Sequence, residues 1–287
     1  MSKDQTRAIV IGVDGQDGSY MAEHLLELGW QVVGLGRRNT PRIGTGHDRF
    51  VYSRCDIRSA DDLATLLEKH KPHRIYHLAA VHGASGYVYE DGWQDALAVN
   101  LGAVHICLEH IRNAAPETRL LYASSLKAFG TPSPAIVSEE TPLRSDCLYS
   151  ITKNAAVELI DYYRNHHGVR ASALYLFNHE SPRRASNFFL PRVTAMLAAA
   201  MKGEAVDNRL ASLDFACDWG SALEFMKIGA RLLEEDANSD YVIATGRTWT
   251  GLEFVEALFG AAGLDWRDHL DIAKPVGSEN IRHYQAD

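Results

Sequence analysis

Two side chains suited to acid–base chemistry, Tyr149 and Lys153, stand four residues apart. At that spacing they share one face of a helix. A tyrosine has an ordinary pKa of about 10, too high for a base at neutral pH, but a nearby ammonium and a cationic cofactor ring would stabilise the phenolate. The phenolate would then take the proton of a hydroxyl group while a hydride leaves for the cofactor, and Ser125 would hold the same oxygen.

A glycine-rich segment, Gly12–Gly18 (GVDGQDG), joins a predicted strand (Arg7–Val13) to a predicted helix (Ser19–Leu28). Glycines at this spacing let the backbone approach a pyrophosphate, which then rests on the N-terminus of the helix. The strand, turn and helix supply the context that this motif requires. The segment therefore predicts a dinucleotide site whose contacts come from Gly12, Gly15, Gln16, Asp17 and Gly18.

The second predicted strand, Gln31–Gly36, is followed by Arg37 and Arg38. An enzyme that uses NAD usually has an acidic residue here, which binds the ribose 2′-hydroxyl, whereas arginine suits the 2′-phosphate of NADP. The arginine pair therefore favours NADP. After the third predicted strand, Asp56 and Ile57 are predicted to contact the adenine. After the fourth, Leu78, Ala79 and Ala80 are predicted to contact the central part of the cofactor.

Short apolar runs alternate with longer amphipathic segments as far as Phe177. This alternation predicts an α/β Rossmann fold, a doubly wound parallel sheet with helices on both faces. Beyond Phe177 the pattern is irregular, which predicts a smaller, discontinuous substrate-binding lobe. We expect 1–177 and about 214–246 to form the NADP-binding domain, and about 178–213 and 247–287 to form the lobe. The other predicted elements are strands at Arg49–Ile57, His73–Ala80, Arg119–Ser125, Val169–Phe177 and Tyr241–Gly246, and helices at Asp61–His70, Trp93–Ala114, Ser150–His166, Asp218–Glu235 and Thr250–Gly263.

The chain has 287 residues and a net charge of -8. This acidic balance argues against a nucleic-acid partner, which would require clustered basic residues. The cysteines match no zinc or Cys-x-x-Cys spacing, so we expect free thiols, a reducing compartment and no metal site. The N-terminus (MSKDQTR) lacks the apolar stretch of a signal peptide, and no run reaches the ~18 apolar residues of a membrane span. We therefore expect a cytoplasmic protein without membrane contact.

Motifs along nearly the whole chain resemble those of one family. They are Gly12–Tyr20 (GVDGQDGSY), Arg37–Arg38, Tyr149–Lys153 (YSITK), Phe177–Arg184 (FNHESPRR), Leu213–Asp214, Asp218–Gly220 (DWG), Ala244–Gly246, Glu253–Phe254 and Gly263–Trp266 (GLDW). By these motifs the chain is similar to the extended short-chain dehydrogenase/reductases and, among them, to the GDP-mannose 4,6-dehydratases. The GQDGSY and NHESPRR stretches are specific to that branch.

The resemblance implies bound NADP, a GDP-hexose substrate and a homodimer or homotetramer. It also implies a reaction in which a hydride leaves C4 of the hexose, water is eliminated across C5 and C6, and the hydride returns to C6. Tyr149 and Lys153 would act in the first step with help from Ser125. Arg183 would lie near the cofactor. Further cofactor contacts are predicted at Tyr149, Lys153, Phe177, Asn178, His179 and Arg184. The substrate site is predicted at Ser125, His82, Asn178, Glu180, Arg183, Asn187 and Arg192.

This chain departs from the family pattern in three ways. The dehydratases have a glutamate that removes the C5 proton and helps the C6 hydroxyl to leave, and this chain has Lys127 there, a further candidate catalytic residue. A protonated lysine cannot accept a proton, so Lys127 would be a base only with a strongly lowered pKa. The sequence also ends at Asp287, earlier than the family pattern. Cys217 replaces an arginine that grips the substrate diphosphate, and the candidates for that role are Arg183, Arg184, Arg192 and Lys127.

Three functions are consistent with these features. Dehydration requires a base for the C5 proton, and His82 and Glu180 are the replacement candidates. Oxidation and reduction at C4, as in a 4-ketoreductase or 4-epimerase, requires only NADP and the Ser125, Tyr149 and Lys153 side chains. The third function is that of a non-catalytic NADP-binding paralogue or sensor. The lost glutamate and arginine favour it, and the retained tyrosine and lysine oppose it.

Overall fold

The computed structural model describes residues 6–44, 46–83, 87–130, 136–235, 238–277 and 285–286. The first five residues, part of the segment predicted to lack a signal peptide, lie outside these ranges. The strands, in chain order, are β1 (Arg7–Ile11), β2 (Gln31–Gly36), β3 (Phe50–Arg54), β4 (Arg74–His77), β5 (Arg119–Ala123), β6 (Ile136–Val137), β7 (Arg170–Leu176), β8 (Asn178–Glu180), β9 (Arg209–Leu210), β10 (Ala216–Ser221), β11 (Tyr241–Ile243), β12 (Thr248–Thr250), β13 (Asp271–Ile272) and β14 (Gln285–Ala286).

The helices lie between these strands. They are α1 (Gln16–Glu27), α2 (Ala60–His70), α3 (Trp93–Ala96), α4 (Ala103–Ala114), α5 (Leu148–His167), α6 (Phe189–Lys202), α7 (Ala222–Glu235) and α8 (Gly251–Ala261). A π-helical stretch, Leu97–Gly102, joins α3 to α4, so the long helix predicted over Trp93–Ala114 is interrupted rather than regular. Within the described ranges, no helix combines the length and the apolar composition needed to cross a membrane.

Seven parallel strands form the central sheet in the order β3-β2-β1-β4-β5-β7-β11. The apolar runs of its inner strands are buried, as expected for strands covered on both faces. Helices α1 and α7 pack together, and α2 packs against α4. The strand order changes direction between β1 and β4, which is where a doubly wound sheet opens a ligand-binding crevice at the carboxyl ends of its strands. The predicted α/β Rossmann fold is confirmed.

The segment Asp218–Glu235 differs from its prediction as one helix. Its first residues belong to β10, which pairs with β12 on one side and with β8 on the other. The Asp218 carboxylate accepts hydrogen bonds from the backbone N–H of Thr245 at 3.0 Å and of Gly246 at 2.8 Å. These partners are distant in sequence, so the backbone stays extended through Ser221 and α7 begins at Ala222.

Two separate groups of buried apolar side chains hold the molecule together. The larger group lies around the central sheet and includes α7 residues such as Phe225 and Met226. The smaller group comes from α6, α8 and the segments around them, and its members are Val193, Met196, Leu210, Leu213, Val255, Phe259, Trp266 and Leu270. The division into an NADP-binding domain and a substrate-binding lobe stays a prediction.

Candidate active site

A cleft of about 790 Å³ opens along the carboxyl ends of the central strands. Because these ends meet at one edge of a parallel sheet, residues that follow different strands come together there. The volume is within the range of small-molecule and cofactor sites. Most of the predicted site residues line this cleft: Gly12, Gly15, Asp17, Arg37, Arg38, Asp56, Ile57, Leu78, Ala79, Ala80, His82, Ser125, Tyr149, Lys153, Phe177, Asn178, His179 and Arg184.

The glycine-rich turn is shaped by close backbone approaches. Gly12 has φ of +88°, and a Cβ on it would lie 2.8 Å from the backbone nitrogen of Ala79. A Cβ on Gly18 would lie 2.1 Å from the Gly12 carbonyl oxygen. Only glycine fits at both positions, so the turn can lie flat against the start of α1. These residues fit a dinucleotide, since such a turn leaves space for a pyrophosphate at the N-terminus of the helix.

The three predicted catalytic side chains converge at one wall of the cleft. Tyr149 and Lys153 lie in the first turns of α5 and are 5% and 1% exposed. The Ser125 side chain lies beside the Tyr149 phenol, whose pKa it lowers as a hydrogen-bonding neighbour. The Lys153 Nζ donates to the Ala123 carbonyl oxygen at 2.7 Å and lies 5.6 Å from the centroid of the Tyr149 ring. The ammonium is therefore held beside the phenol.

Burial has the largest effect on the pKa values of Tyr149 and Lys153. It raises the pKa of Tyr149 above its ordinary value of 10.0, and the hydrogen bond with Ser125 opposes that rise. Burial lowers the pKa of Lys153 from 10.5 to about 7, against the attraction of Asp17. The protein's own groups therefore keep Tyr149 protonated at neutral pH. Lowering its pKa, as the sequence predicted, requires the additional positive charge of a cofactor ring.

His82 lies beside the catalytic pair. Its ring centroid is 4.6 Å from that of Tyr149, and its Nδ1 lies 2.6 Å from the Tyr89 hydroxyl. Burial, followed by the positive charge of Lys127, lowers the pKa of His82 to about 3. The imidazole is therefore neutral near pH 7. It can hydrogen-bond a substrate hydroxyl, and it is a weak acceptor for a proton.

A buried ion pair lies beneath the glycine-rich turn. The His179 Nδ1 is 2.7 Å from the Phe177 carbonyl oxygen, and the Nε2 is 2.9 Å from the Asp17 carboxylate. Because both ring nitrogens face acceptors, the charged imidazolium satisfies both. Burial lowers the pKa of His179, but Asp17 outweighs burial and the net change is upward. The pair joins α1 to β8 at the floor of the cleft.

The end of β2 carries both signs of charge. Arg37–Arg38 are exposed there, as predicted, and the carboxylate of Asp14 lies at the same place. A Cβ on Gly36 would lie 2.1 Å from Asp14 Oδ2, so the missing side chain of Gly36 makes room for this carboxylate. The sequence interpretation missed Asp14, because an acidic residue within a glycine-rich turn gives no indication that it reaches the next strand.

Other residues that line the cleft were also missed. The Arg58 guanidinium donates to Asp56 at 2.9 Å and to Asp95 at 2.9 Å, which connects the turn after β3 to α3. Phe188, just before α6, lines the cleft with the Arg184 guanidinium 3.7 Å above its ring. The contact between Arg58 and Asp95 joins segments far apart in the chain, so no local pattern indicates it.

Two predicted cofactor contacts support the turn rather than line the cleft. The side-chain amide of Gln16 donates to the His179 carbonyl oxygen at 3.2 Å, and its oxygen accepts from the Ser181 hydroxyl at 2.9 Å. Gly18 is covered by Gly12. Both residues therefore lie behind the part of the glycine-rich turn that lines the cleft.

Lys127 is exposed, and its side chain does not line the cleft. Its backbone N–H donates to Ser125 Oγ at 3.2 Å.

Glu180 pairs with Arg184 at 3.6 Å, and burial raises the pKa of the Glu180 carboxyl. Cys217, at the place of the family arginine, accepts a hydrogen bond from the Asn178 amide at 3.0 Å.

Three predicted substrate residues face elsewhere. The Arg183 guanidinium donates to Ser19 at 2.9 Å and to Glu23 at 2.8 Å, so it is bound to α1 instead of facing the cleft. Arg192 donates to the Arg209 carbonyl oxygen at 2.6 Å. Asn187 is exposed. None of the three lines the cleft, because their local partners or the course of the chain direct them away from it.

Comparisons with known proteins agree with this geometry. A family profile described as GDP-mannose 4,6 dehydratase matches residues 9–286. GDP-mannose 4,6 dehydratase 1 of Arabidopsis thaliana is 34% identical over 304 residues, covering 98% of this chain and 82% of the relative. GDP-mannose 4,6-dehydratase of Sinorhizobium fredii is 34% identical over 274 residues, covering 91% and 78%.

Solved structures share the fold at low sequence identity. A UDP-glucose 4-epimerase of Thermotoga maritima, solved with UDP-glucose, superposes with a TM-score of 0.82 at 18% identity and covers 98% of this chain and 90% of its own. A dTDP-glucose 4,6-dehydratase of Bacillus anthracis, solved with NAD, gives 0.81 at 16% identity, with coverage of 98% and 88%. The resemblance predicted from the sequence motifs is thus confirmed. This chain belongs to the GDP-mannose 4,6-dehydratase family of extended short-chain dehydrogenase/reductase enzymes.

Proposed function

We propose that this chain is an NADP-dependent enzyme that oxidises and reduces C4 of a nucleotide-activated hexose, with a GDP-hexose as substrate. The observation that carries the proposal is the convergence of Ser125, Tyr149 and Lys153 at one wall of a cleft of dinucleotide size. The curated relatives are named for GDP-mannose, and solved relatives contain NAD or UDP-glucose. These names support a nicotinamide cofactor and a nucleotide-sugar substrate.

Each part of the cofactor has residues suited to hold it. The glycine-rich turn suits the pyrophosphate, and Arg37–Arg38 suit a 2′-phosphate. Ile57 and Ala79 line the cleft on either side of the glycine-rich turn. When bound, the nicotinamide supplies a group that accepts and returns a hydride.

The protein's own residues move the proton. Tyr149 takes the proton of the C4 hydroxyl during oxidation and returns it during reduction. Ser125 is placed by the backbone N–H of Lys127 and fixes the hydroxyl oxygen beside the phenol. Lys153, held by the Ala123 carbonyl oxygen, stabilises the phenolate when it is charged. Burial of this pair excludes water, so each charge acts strongly on the other.

The position of Lys127 favours this chemistry over dehydration. Elimination of water requires a group in the cleft that removes the C5 proton. Lys127 occupies the place of the family glutamate, and it is exposed with its side chain outside the cleft lining. Oxidation and reduction at C4 require no such group, as in a 4-ketoreductase or 4-epimerase.

Dehydration is the second candidate function, and His82 favours it. Its neutral imidazole lines the cleft next to Tyr149, where it could accept the C5 proton in place of the missing glutamate. Its pKa of about 3 makes it a weak base, which is why we rank this function second. A non-catalytic sensor is opposed by the buried Tyr149–Lys153 pair, because dinucleotide binding alone needs neither side chain.

Two further properties follow the proposed function. We propose a homodimer or homotetramer, as the family resemblance implies. We also propose a cytoplasmic location, since the four cysteines, Cys55, Cys107, Cys147 and Cys217, are free thiols and a reducing compartment preserves them.

Two incubations test the proposal. In one, the purified protein receives GDP-mannose and NADP, and the products are examined for a 4-keto-6-deoxy sugar. In the other, it receives the GDP-linked 4-keto-6-deoxy sugar and NADPH, and the loss of NADPH absorbance is followed. We expect reduction in the second and no dehydration in the first. Because the Lys127 side chain is exposed and outside the cleft lining, we expect Lys127→Glu not to gain dehydration.

The results separate the three functions. Formation of the keto sugar by the unaltered protein, and its loss in His82→Gln, would establish the dehydratase instead. Absence of turnover in both incubations, with the cofactor bound, would contradict the catalytic proposal and favour the sensor.

A further inference from the structure

The Asp14 carboxylate is held in a fixed position at the end of β2. The hydroxyl of Tyr52 donates to its Oδ2 at 2.8 Å, and the backbone N–H of Arg42 donates to its Oδ1 at 3.1 Å. The backbone N–H groups of Gly12 and Val13 donate to the Leu35 carbonyl oxygen at 2.9 and 3.2 Å, which draws the turn against β2. The carboxylate is therefore preorganised.

The end of β2 is where a dinucleotide fold binds the adenosine ribose. In an NAD-binding site an acidic side chain there accepts hydrogen bonds from the ribose hydroxyls, and in an NADP site an arginine meets the 2′-phosphate. Here the acidic side chain comes from the glycine-rich turn rather than from β2 itself. An ionised carboxylate accepts about four hydrogen bonds, and two donors contact that of Asp14, so it keeps accepting capacity. Asp14 also lines the cleft.

On the basis of the proposed dinucleotide binding, we infer that Asp14 determines the choice between NAD and NADP. Its carboxylate accepts the ribose 2′-hydroxyl of NAD and repels the 2′-phosphate of NADP. Arg37–Arg38 attract the same phosphate from the other side. The preference is a balance between these charges, so the unaltered protein binds both cofactors, with the arginines favouring NADP.

The surroundings of Asp14 make its negative charge act more strongly on a nearby phosphate. Asp14 is partly buried, whereas Arg37–Arg38 are exposed. Water and salt screen exposed charges more than buried ones, so the repulsion by Asp14 is less screened than the attraction by either arginine. Burial and the hydrogen bond to Asp14 raise the pKa of the Tyr52 phenol to about 12, so this hydroxyl keeps its proton and stays a donor to the carboxylate.

Direct binding measurements test this inference without any need for turnover. Dissociation constants of NAD and NADP are measured by titration calorimetry for the unaltered protein after removal of bound nucleotide, and for Asp14→Asn. The amide keeps the size of the side chain and removes its charge. We expect NADP to bind about tenfold more tightly and NAD about tenfold more weakly, a change of about 100-fold in their ratio, as for loss of a charged hydrogen bond.

Two further variants keep the test decisive. Glu158→Gln, an exposed position on α5, removes the same charge away from the cleft and should leave the ratio unchanged. Asp14→Ser removes the charge with a smaller side chain, so it provides the measurement if the asparagine variant does not fold. A change of less than about threefold in the ratio for a folded Asp14 variant would overturn the inference while leaving the proposed function intact. Binding of neither cofactor by the unaltered protein would instead overturn both.

Discussion

Replacing the buried lysine of the active site should make the protein more stable and inactive. The Lys153 side chain is 1% exposed, and burial lowers its pKa from 10.5 to about 7. Between these two pH values the unfolded chain binds a proton that the folded chain does not. The free energy of unfolding therefore rises with pH across this window.

The magnitude follows from the size of this pKa change. One pH unit corresponds to about 1.4 kcal/mol, so the buried amine costs the folded protein about 4–5 kcal/mol at pH 7. Lys153→Met removes this cost and keeps the length of the apolar stem. It also leaves the Ala123 carbonyl oxygen without its 2.7 Å donor, a loss of about 1–3 kcal/mol. The net expectation is a stabilisation of about 1–4 kcal/mol at pH 7.

Denaturant unfolding of the cofactor-free protein measures this effect. The stability difference between Lys153→Met and the unaltered protein should be largest and constant below about pH 7, and it should narrow by about 1.4 kcal/mol for each pH unit from pH 7 toward pH 10. Lys127→Met is the matched control, because Lys127 is exposed and its replacement should change stability by less than about 0.5 kcal/mol. Turnover by Lys153→Met should fall by a factor of about 100 or more.

Two results would refute this reasoning. If Lys153→Met were less stable than the unaltered protein at pH 7, the amine would be a net stabilising group rather than one held for catalysis. If the difference did not change with pH, the pKa of the lysine would not be lowered by burial.

Two other predictions concern the Tyr149 phenol and the amino ends of the central strands, where Arg119 lies. Tyr149→Phe should bind the cofactor normally and lose turnover by about 100- to 10,000-fold in the C4 reduction assay, and full activity would show that the catalytic assignment is wrong. Arg119→Met removes donors to the Leu233 and Glu234 carbonyl oxygens in the last turn of α7, at 2.8 and 2.7 Å. We expect it to lower the free energy of unfolding by about 1–2 kcal/mol, with unchanged cofactor affinity, whereas Arg231→Met, at an exposed ion pair, should change it by less than about 0.5 kcal/mol.

The central sheet could be predicted from the sequence because its strands are continuous apolar runs. The predicted bounds of β2, Gln31–Gly36, agree with the structure. The strand predicted at Arg49–Ile57 is shorter in the structure, Phe50–Arg54. It lies at the edge of the sheet, where its side chains are only partly buried or exposed. The segment Asp218–Ser221 was assigned to a helix because its pairing partners lie outside any local sequence window.

The candidate site was predictable where a residue follows a strand. Ser125 after β5 and Arg37–Arg38 after β2 were placed at the cleft by that rule alone. Arg183, predicted to lie near the cofactor, does not line the cleft, and the sequence does not show that Ser19 and Glu23 bind its guanidinium. Asp14 was missed in the same way, because its position depends on the space that Gly36 leaves.

Tyr149 and its neighbour His82 carry no charge at neutral pH, and this explains how the reactivity of the phenol can depend on what binds. Burial raises the pKa of the phenol and lowers that of His82 to about 3, so at neutral pH both groups are uncharged. Lys153, with a pKa of about 7, is only partly charged. A cation that enters such a buried site is weakly screened, so it lowers the pKa of the phenol more than it would in water. Proton removal by Tyr149 is therefore coupled to the arrival of positive charge, and the site holds its proton until that charge is present.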